Sequence, residues 1–96
     1  MEIISIKSKA LKLLIQKNDV KLLPTKYVQK VRDIIDILAE LETIEEFLKL
    51  PRGRPHRLKG SRPNTYAVSV YANWRITFEY IAKDNSVHIL DFEDYH

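Results

Sequence analysis

The run WRITFEY, residues 74–80, alternates without a break. Trp74, Ile76, Phe78 and Tyr80 fall on one side, and Arg75, Thr77 and Glu79 on the other. An extended chain points its side chains to opposite faces in turn, so this is a strand with one covered face and one polar face. TYAVSVY (65–71) before it and SVHILDF (86–92) after it are also rich in β-branched and aromatic residues. The links between the three runs are short, and one carries the turn signal KDN. Short links join antiparallel neighbours, which predicts a three-stranded meander. One face of such a sheet needs a cover.

The N-terminal half supplies it. Tyr27, Val28, Val31, Ile34, Ile35, Leu38 and Leu41 recur at steps of three and four after Pro24 and Thr25, which marks a helix with one apolar stripe. Lys30, Asp33 and Glu40 fall off that stripe. A shorter helix, KALKLLIQK, follows Ser8 as its cap, with Leu11, Leu14 and Ile15 on its stripe. EIISI (2–6) reads as a first strand, 18–24 as a connection, and TIEEFLKLP as a short helical turn ended by Pro51. The plan is α+β, N-terminal helices packed on a mainly antiparallel sheet, and 96 residues make one domain over 1–96.

The chain has no cysteine, which excludes a disulfide-stapled secreted scaffold. It has no run long enough to span a bilayer and no signal pattern at its start, so a cytoplasmic protein is expected. The net charge of +3 is laid out in blocks: +6 over 1–32, −5 over 33–50, +5 over 51–62 and −3 over 63–96. A basic face of this kind favours a polyanion such as nucleic acid, whereas solvated helix faces are the plainer account.

RGRPHRLKGSRPN (52–64) holds both glycines and two of the four prolines, so it is a loop or a loop around a short strand. It offers Arg54, His56, Arg57, Lys59 and Arg62. The polar face of the second meander strand offers Arg75, and the chain ends on Asp94, Tyr95 and His96. RNA can be cut without a metal: its 2′-hydroxyl attacks the adjacent phosphorus, a base removes the proton, an acid protonates the 5′-oxygen, and cations stabilise the phosphate. His56 and His96 are the candidates for proton transfer, Lys59 and Arg75 for phosphate stabilisation. Tyr95 is suited to stacking on a base and Asp94 to orienting a His or a ribose hydroxyl. Antiparallel pairing brings the end of the last strand near Arg75. His56, His88 and His96 lack metal-ligand spacing, no GK[ST] follows a glycine, and no nucleophile elbow is present. His88 reads as a solvent-facing strand residue. No metal or cofactor is expected.

RPHRLKGSRPNTYAVSVYANWRITFEY, followed by a terminal DYH, resembles the HigB-type toxins of the RelE/ParE superfamily, over nearly the whole chain. The resemblance implies a compact fold like that of the microbial RNases. It implies the toxin of a type II toxin–antitoxin pair, one that cleaves mRNA in the ribosomal A site without a metal and so inhibits translation. It also implies a cognate helix-turn-helix antitoxin, through which the complex reaches its operator DNA. By motif, His56, Lys59, Asp94, Tyr95 and His96 become catalytic positions and Arg75 matches the family's sheet arginine; with Arg75, the basic loop residues Arg54, Arg57 and Arg62 are expected to contact RNA or the ribosome. A relative of ParE type would instead bind DNA gyrase without catalysis, and an inactive toxin would act only with its antitoxin at the operator. The retained His and Lys set argues for cleavage.

Two departures from the family pattern stand out. The first helix begins SKALK where a His-Lys-Gly run is common. The turn before NWR is Ala72-Asn73 in place of Asn-Gly. Ala tolerates a positive φ poorly, so a different turn type is expected there.

Overall fold

A computed structural model describes residues 1–60 and 62–94. The chain runs β1 (Glu2–Ile3), α1 (Lys9–Lys17), a 3₁₀ turn (Thr25–Tyr27), α2 (Val28–Glu40), α3 (Ile44–Leu48), β2 (His56–Arg57), β3 (Thr65–Tyr71), β4 (Trp74–Ile81) and β5 (Ser86–Asp94). The five strands form one sheet in the order β1-β5-β4-β3-β2. β1 runs parallel to β5, and every other neighbouring pair is antiparallel. This is the α+β plan read from the sequence. Among the described residues no helix is long and apolar enough to cross a membrane.

Helices α1 and α3 begin where the sequence supplies caps. The Ser8 hydroxyl accepts a hydrogen bond from the Leu11 amide at 3.2 Å. Thr43 and Glu46 form a reciprocal capping box at the start of α3, and two acidic residues in its first turn favour the helix dipole. The residues 25–27 expected to open the long helix form the 3₁₀ turn instead, and Leu41 caps its far end. Val31, Ile35 and Leu38 of α2 are buried, together with Leu11 and Leu14 of α1. Ile15, on the α1 stripe by its spacing, stands 38 % exposed at the margin.

These helices cover one face of the sheet. Tyr66, Val68, Ile76, Phe78, Val87 and Leu90 join them in one core. Phe47 of α3 sets its ring edge-on to Phe78 at 5.0 Å and to Tyr66 at 6.1 Å. Trp74 lies at the end of this face, half-buried and stacked on Phe92 at 4.7 Å.

The expected first strand over 2–6 is interrupted. Only Glu2 and Ile3 pair continuously, and Ile6 then makes an isolated bridge to Leu90. The interruption meets a β-bulge in β5. Thr77 faces Asp91 while Glu79 faces His88, so β5 carries one extra residue. That residue is Ile89, with a φ of 52° and its side chain in solvent. Ser5 holds the bulge, since its hydroxyl accepts from the Ile89 amide at 2.8 Å and its carbonyl from the Leu90 amide at 3.0 Å. The bulge resets the alternation: Leu90 and Phe92 turn inward, and Asp91 and Glu93 join the outer face.

Candidate active site

The outer face of the sheet, away from the helices, is built in rows. His56, Ala67, Thr77 and Asp91 align across β2, β3, β4 and β5, and Ser69, Arg75 and Glu93 form the next row. Alternation places these residues together.

The loop reaches this face because of Gly53. Its carbonyl accepts from the Ser69 amide at 2.7 Å. A Cβ on Gly53 would stand 2.5 Å from Val68 Cγ2 and 2.8 Å from the Ser69 carbonyl oxygen, and its φ is 79°. Only glycine allows both the approach and the conformation. Arg54 follows with a φ of 48°, a strained setting for a residue with a side chain. Its carbonyl lies 2.8 Å from His56 Nδ1. A carbonyl only accepts, so Nδ1 carries the hydrogen, and Nε2 is the nitrogen that takes up or gives a proton. Arg54, Pro55, His56, Ser69, Ala72, Asn73 and Arg75 line an open groove of about 460 Å³.

Beside the groove sits an ionic cluster. Arg62 grips Glu93 with two bonds, Nη1 to Oε1 at 3.2 Å and Nη2 to Oε2 at 2.7 Å. Arg75 Nη2 lies 3.6 Å from Glu93 Oε1. The Thr77 hydroxyl donates to Oε2 at 2.6 Å. The Arg62 bond, helped by Thr77 and the charge of Arg75, outweighs partial burial and holds the Glu93 carboxyl at about 2, well below its ordinary 4.5. The Arg75 side chain is 13 % exposed, so the polar face of β4 is partly covered here.

The other residues selected from the sequence are spread around this centre. Arg57 Nη2 donates to Asn64 Oδ1 at 3.1 Å, and Lys59 is exposed in the loop that follows β2. Asp94 faces Trp74 across the β4–β5 pair, one position beyond Arg75 and Glu93. Alternation therefore sets it on the helix side of the sheet, near Tyr71, whose phenol is raised chiefly by burial, with Tyr27 and then Asp94 adding to the shift. Tyr71 in turn stacks on Tyr27 with ring centres 3.6 Å apart. Tyr95 and His96 lie outside the described residues. His88 is half-buried and bonded through Nε2 to Ser86 Oγ at 2.9 Å, so it is less open to solvent than its alternation implied.

Glu93, Thr77 and Ser69 belong to this face, and reading residue types alone passes over them. The signal was present: pairing WRITF against DFED in reverse sets a Glu opposite Arg75.

The fold is that of the RelE- and YoeB-type toxins. The chain is similar to a YoeB/ParE toxin from Agrobacterium tumefaciens, with a TM-score of 0.58 and 16 % identity over 97 % of this chain and 99 % of that one. It is likewise similar to the archaeal RelE–RelB complex from Pyrococcus horikoshii OT3, with a TM-score of 0.60 and 18 % identity over 97 % and 92 %. Residues 4–96 match the model of the HigB-like toxins, described as RelE-like toxins of the type II toxin–antitoxin system HigB. The Endoribonuclease HigB of Proteus vulgaris is 40 % identical over 94 residues, 96 % of this chain and 97 % of that one. The chain belongs to the HigB-like toxin family. It is thus the toxin of a type II pair, and an antitoxin is its partner.

Proposed function

We propose that this toxin cleaves messenger RNA in the ribosomal A site, without a metal or cofactor, through the groove between the 52–64 loop and the outer face of the sheet. Family membership and the relative named an endoribonuclease make RNA cleavage the activity. The finer reading rests above all on His56, whose Nδ1 is fixed by the Arg54 carbonyl in a groove shared with Arg54 and Arg75. A titratable nitrogen is thereby set among fixed cations, as cleavage by the 2′-hydroxyl requires.

In this reading His56 and His96 form the proton-transfer pair. Lys59 and Arg75 stabilise charge on the phosphate, and Arg54, Arg57 and Arg62 guide the strand by counterion release. Asp94 orients a His or a ribose hydroxyl and Tyr95 stacks on a base. The toxin works in the cytoplasm as a single domain over 1–96. Its antitoxin is a small helix-turn-helix protein that carries the pair to operator DNA.

The test is a map of mRNA 5′ ends in cells shortly after the toxin is induced without antitoxin, beside His56→Ala and His96→Ala. New ends inside translated codons, lost in both variants and lost when translation is blocked, support the reading. Growth arrest without new ends would point to a non-catalytic target such as DNA gyrase. Absence of both would leave an inactive toxin that acts only with its antitoxin.

A further inference from the structure

Glu93 presents a puzzle. A polyanion site gains by positive charge, yet this carboxylate lies among its arginines and stays ionised. One acidic side chain touches two cations from separate elements, Arg62 from the β2–β3 loop and Arg75 from β4. The Thr77 hydroxyl fixes its orientation from the same face. Each oxygen has an assigned pair of neighbours: Oε2 receives Arg62 Nη2 and Thr77, and Oε1 receives Arg62 Nη1 and approaches Arg75.

The arrangement does what neither arginine does alone. Two guanidinium groups repel, and Arg62 sits on an exposed loop where its long side chain would otherwise wander. A bidentate contact holds the planar fork in one geometry. The cluster retains a net charge of +1, so it still attracts phosphate. Positioned charge contributes most where charge develops during reaction, because nothing need reorganise at that moment.

We infer that Glu93 is a positioning residue of the toxin's site, a carboxylate strut that sets Arg62 and Arg75 toward one phosphate. The inference rests on the endoribonuclease reading above. Glu93 touches no reacting atom, and its effect passes through the two arginines. Loss of its charge slows cleavage more than it weakens RNA binding.

The test uses the whole toxin, released from its antitoxin, as wild type, Glu93→Gln, Glu93→Asp and Arg62→Ala, and as Arg62→Ala with Glu93→Gln. Single-turnover cleavage is measured on ribosomes programmed with a defined message. Affinity is measured with a 2′-O-methyl RNA oligonucleotide that resists cleavage. Rebinding of antitoxin and the thermal unfolding midpoint report the fold.

Glu93→Gln should cut roughly 10- to 100-fold more slowly, in the range of losing one preorganised donor or less. Its affinity for the oligonucleotide should change less than about threefold, since the number of phosphate contacts is retained. Glu93→Asp should recover part of the rate, and the double variant should be no slower than Arg62→Ala, because the two residues act as one unit.

Faster cleavage or tighter binding by Glu93→Gln would overturn the inference and make the carboxylate a brake on RNA. An unchanged rate, or parallel loss of rate, affinity and antitoxin binding, would also overturn it, the second by showing a merely structural role. If wild type leaves the message intact, the endoribonuclease reading falls and takes the strut with it. If wild type cuts and Glu93→Gln cuts equally, the strut alone falls.

Discussion

Arg62 and Glu93 meet through two bonds, at 3.2 and 2.7 Å, and so tie the β2–β3 loop to the last strand. The contact makes stability depend on acid. Folded Glu93 is held at about 2 against an ordinary 4.5, so its contribution is full above pH 4.5 and is lost as the pH falls from there toward 2. Arg62 is 43 % exposed, and solvent screens the pair. After that discount we expect wild type to lose about 1 kcal/mol more than Glu93→Gln between pH 5 and pH 2. Urea titrations of both proteins at intervals of half a pH unit would measure it, and parallel curves would refute it.

Gly53 controls the approach of the loop to β3. Gly53→Ala would force a methyl group to within 2.5 Å of Val68 Cγ2 and 2.8 Å of the Ser69 carbonyl. One of those atoms is backbone, so the loop must move. A loss of about 2 kcal/mol is expected from overpacking and the left-handed φ together. His56 lies three residues on, so its imidazole resonances should shift in the same variant. A stable Gly53→Ala protein with an unmoved His56 spectrum would show that the close approach does not place the histidine.

Ala72 makes the opposite case. The sequence argues against a positive φ at this turn, and the structure has one, at 45°. Asn73 is not among the residues with positive φ, so the turn is not the two-residue form in which both central positions are left-handed, and a different turn type is indeed used. The strain falls on Ala72 because Tyr71 pairs directly with Trp74, which leaves two residues to reverse the chain. Ala72→Gly should therefore stabilise the toxin by roughly 0.5 kcal/mol, relief of strain being partly offset by the entropy of the unfolded glycine. Equilibrium unfolding of the pair would decide the sign.

The fold was legible where periodicity is strong. The stripe at Val31, Ile35 and Leu38 and the alternation at Ile76 and Phe78 mark their faces, and both are buried as those patterns require. Of the candidate groove, Arg54 and His56 were legible because the basic loop stands out by composition, and Arg75 because it lies on the polar face of its strand. Two features escaped because they arise from contacts between distant segments. The bulge at Ile89 depends on Ser5, more than eighty residues earlier, and no local pattern announces it. Glu93 looks like one more acid in an acidic tail until strand register sets it against Arg75. The same register sets Asp94 on the helix side, where residue types alone had grouped it with the loop cations.

Lys59 offers the sharpest separation of activity from stability. It is exposed in the loop after β2, away from the core formed by the helices and the inner sheet face. Removing an exposed side chain of this kind shifts stability by less than about 0.5 kcal/mol. Removing a cation that stabilises a phosphate in the transition state costs on the order of 100-fold or more in rate. Lys59→Ala should thus keep the wild-type unfolding midpoint and circular dichroism spectrum, and still bind antitoxin, while single-turnover cleavage on programmed ribosomes drops by about two orders of magnitude. Lys59→Arg should recover part of that loss, since the charge returns in a different shape. A folded Lys59→Ala toxin that cuts at the wild-type rate would remove Lys59 from the site and leave charge stabilisation to Arg75 and Arg62.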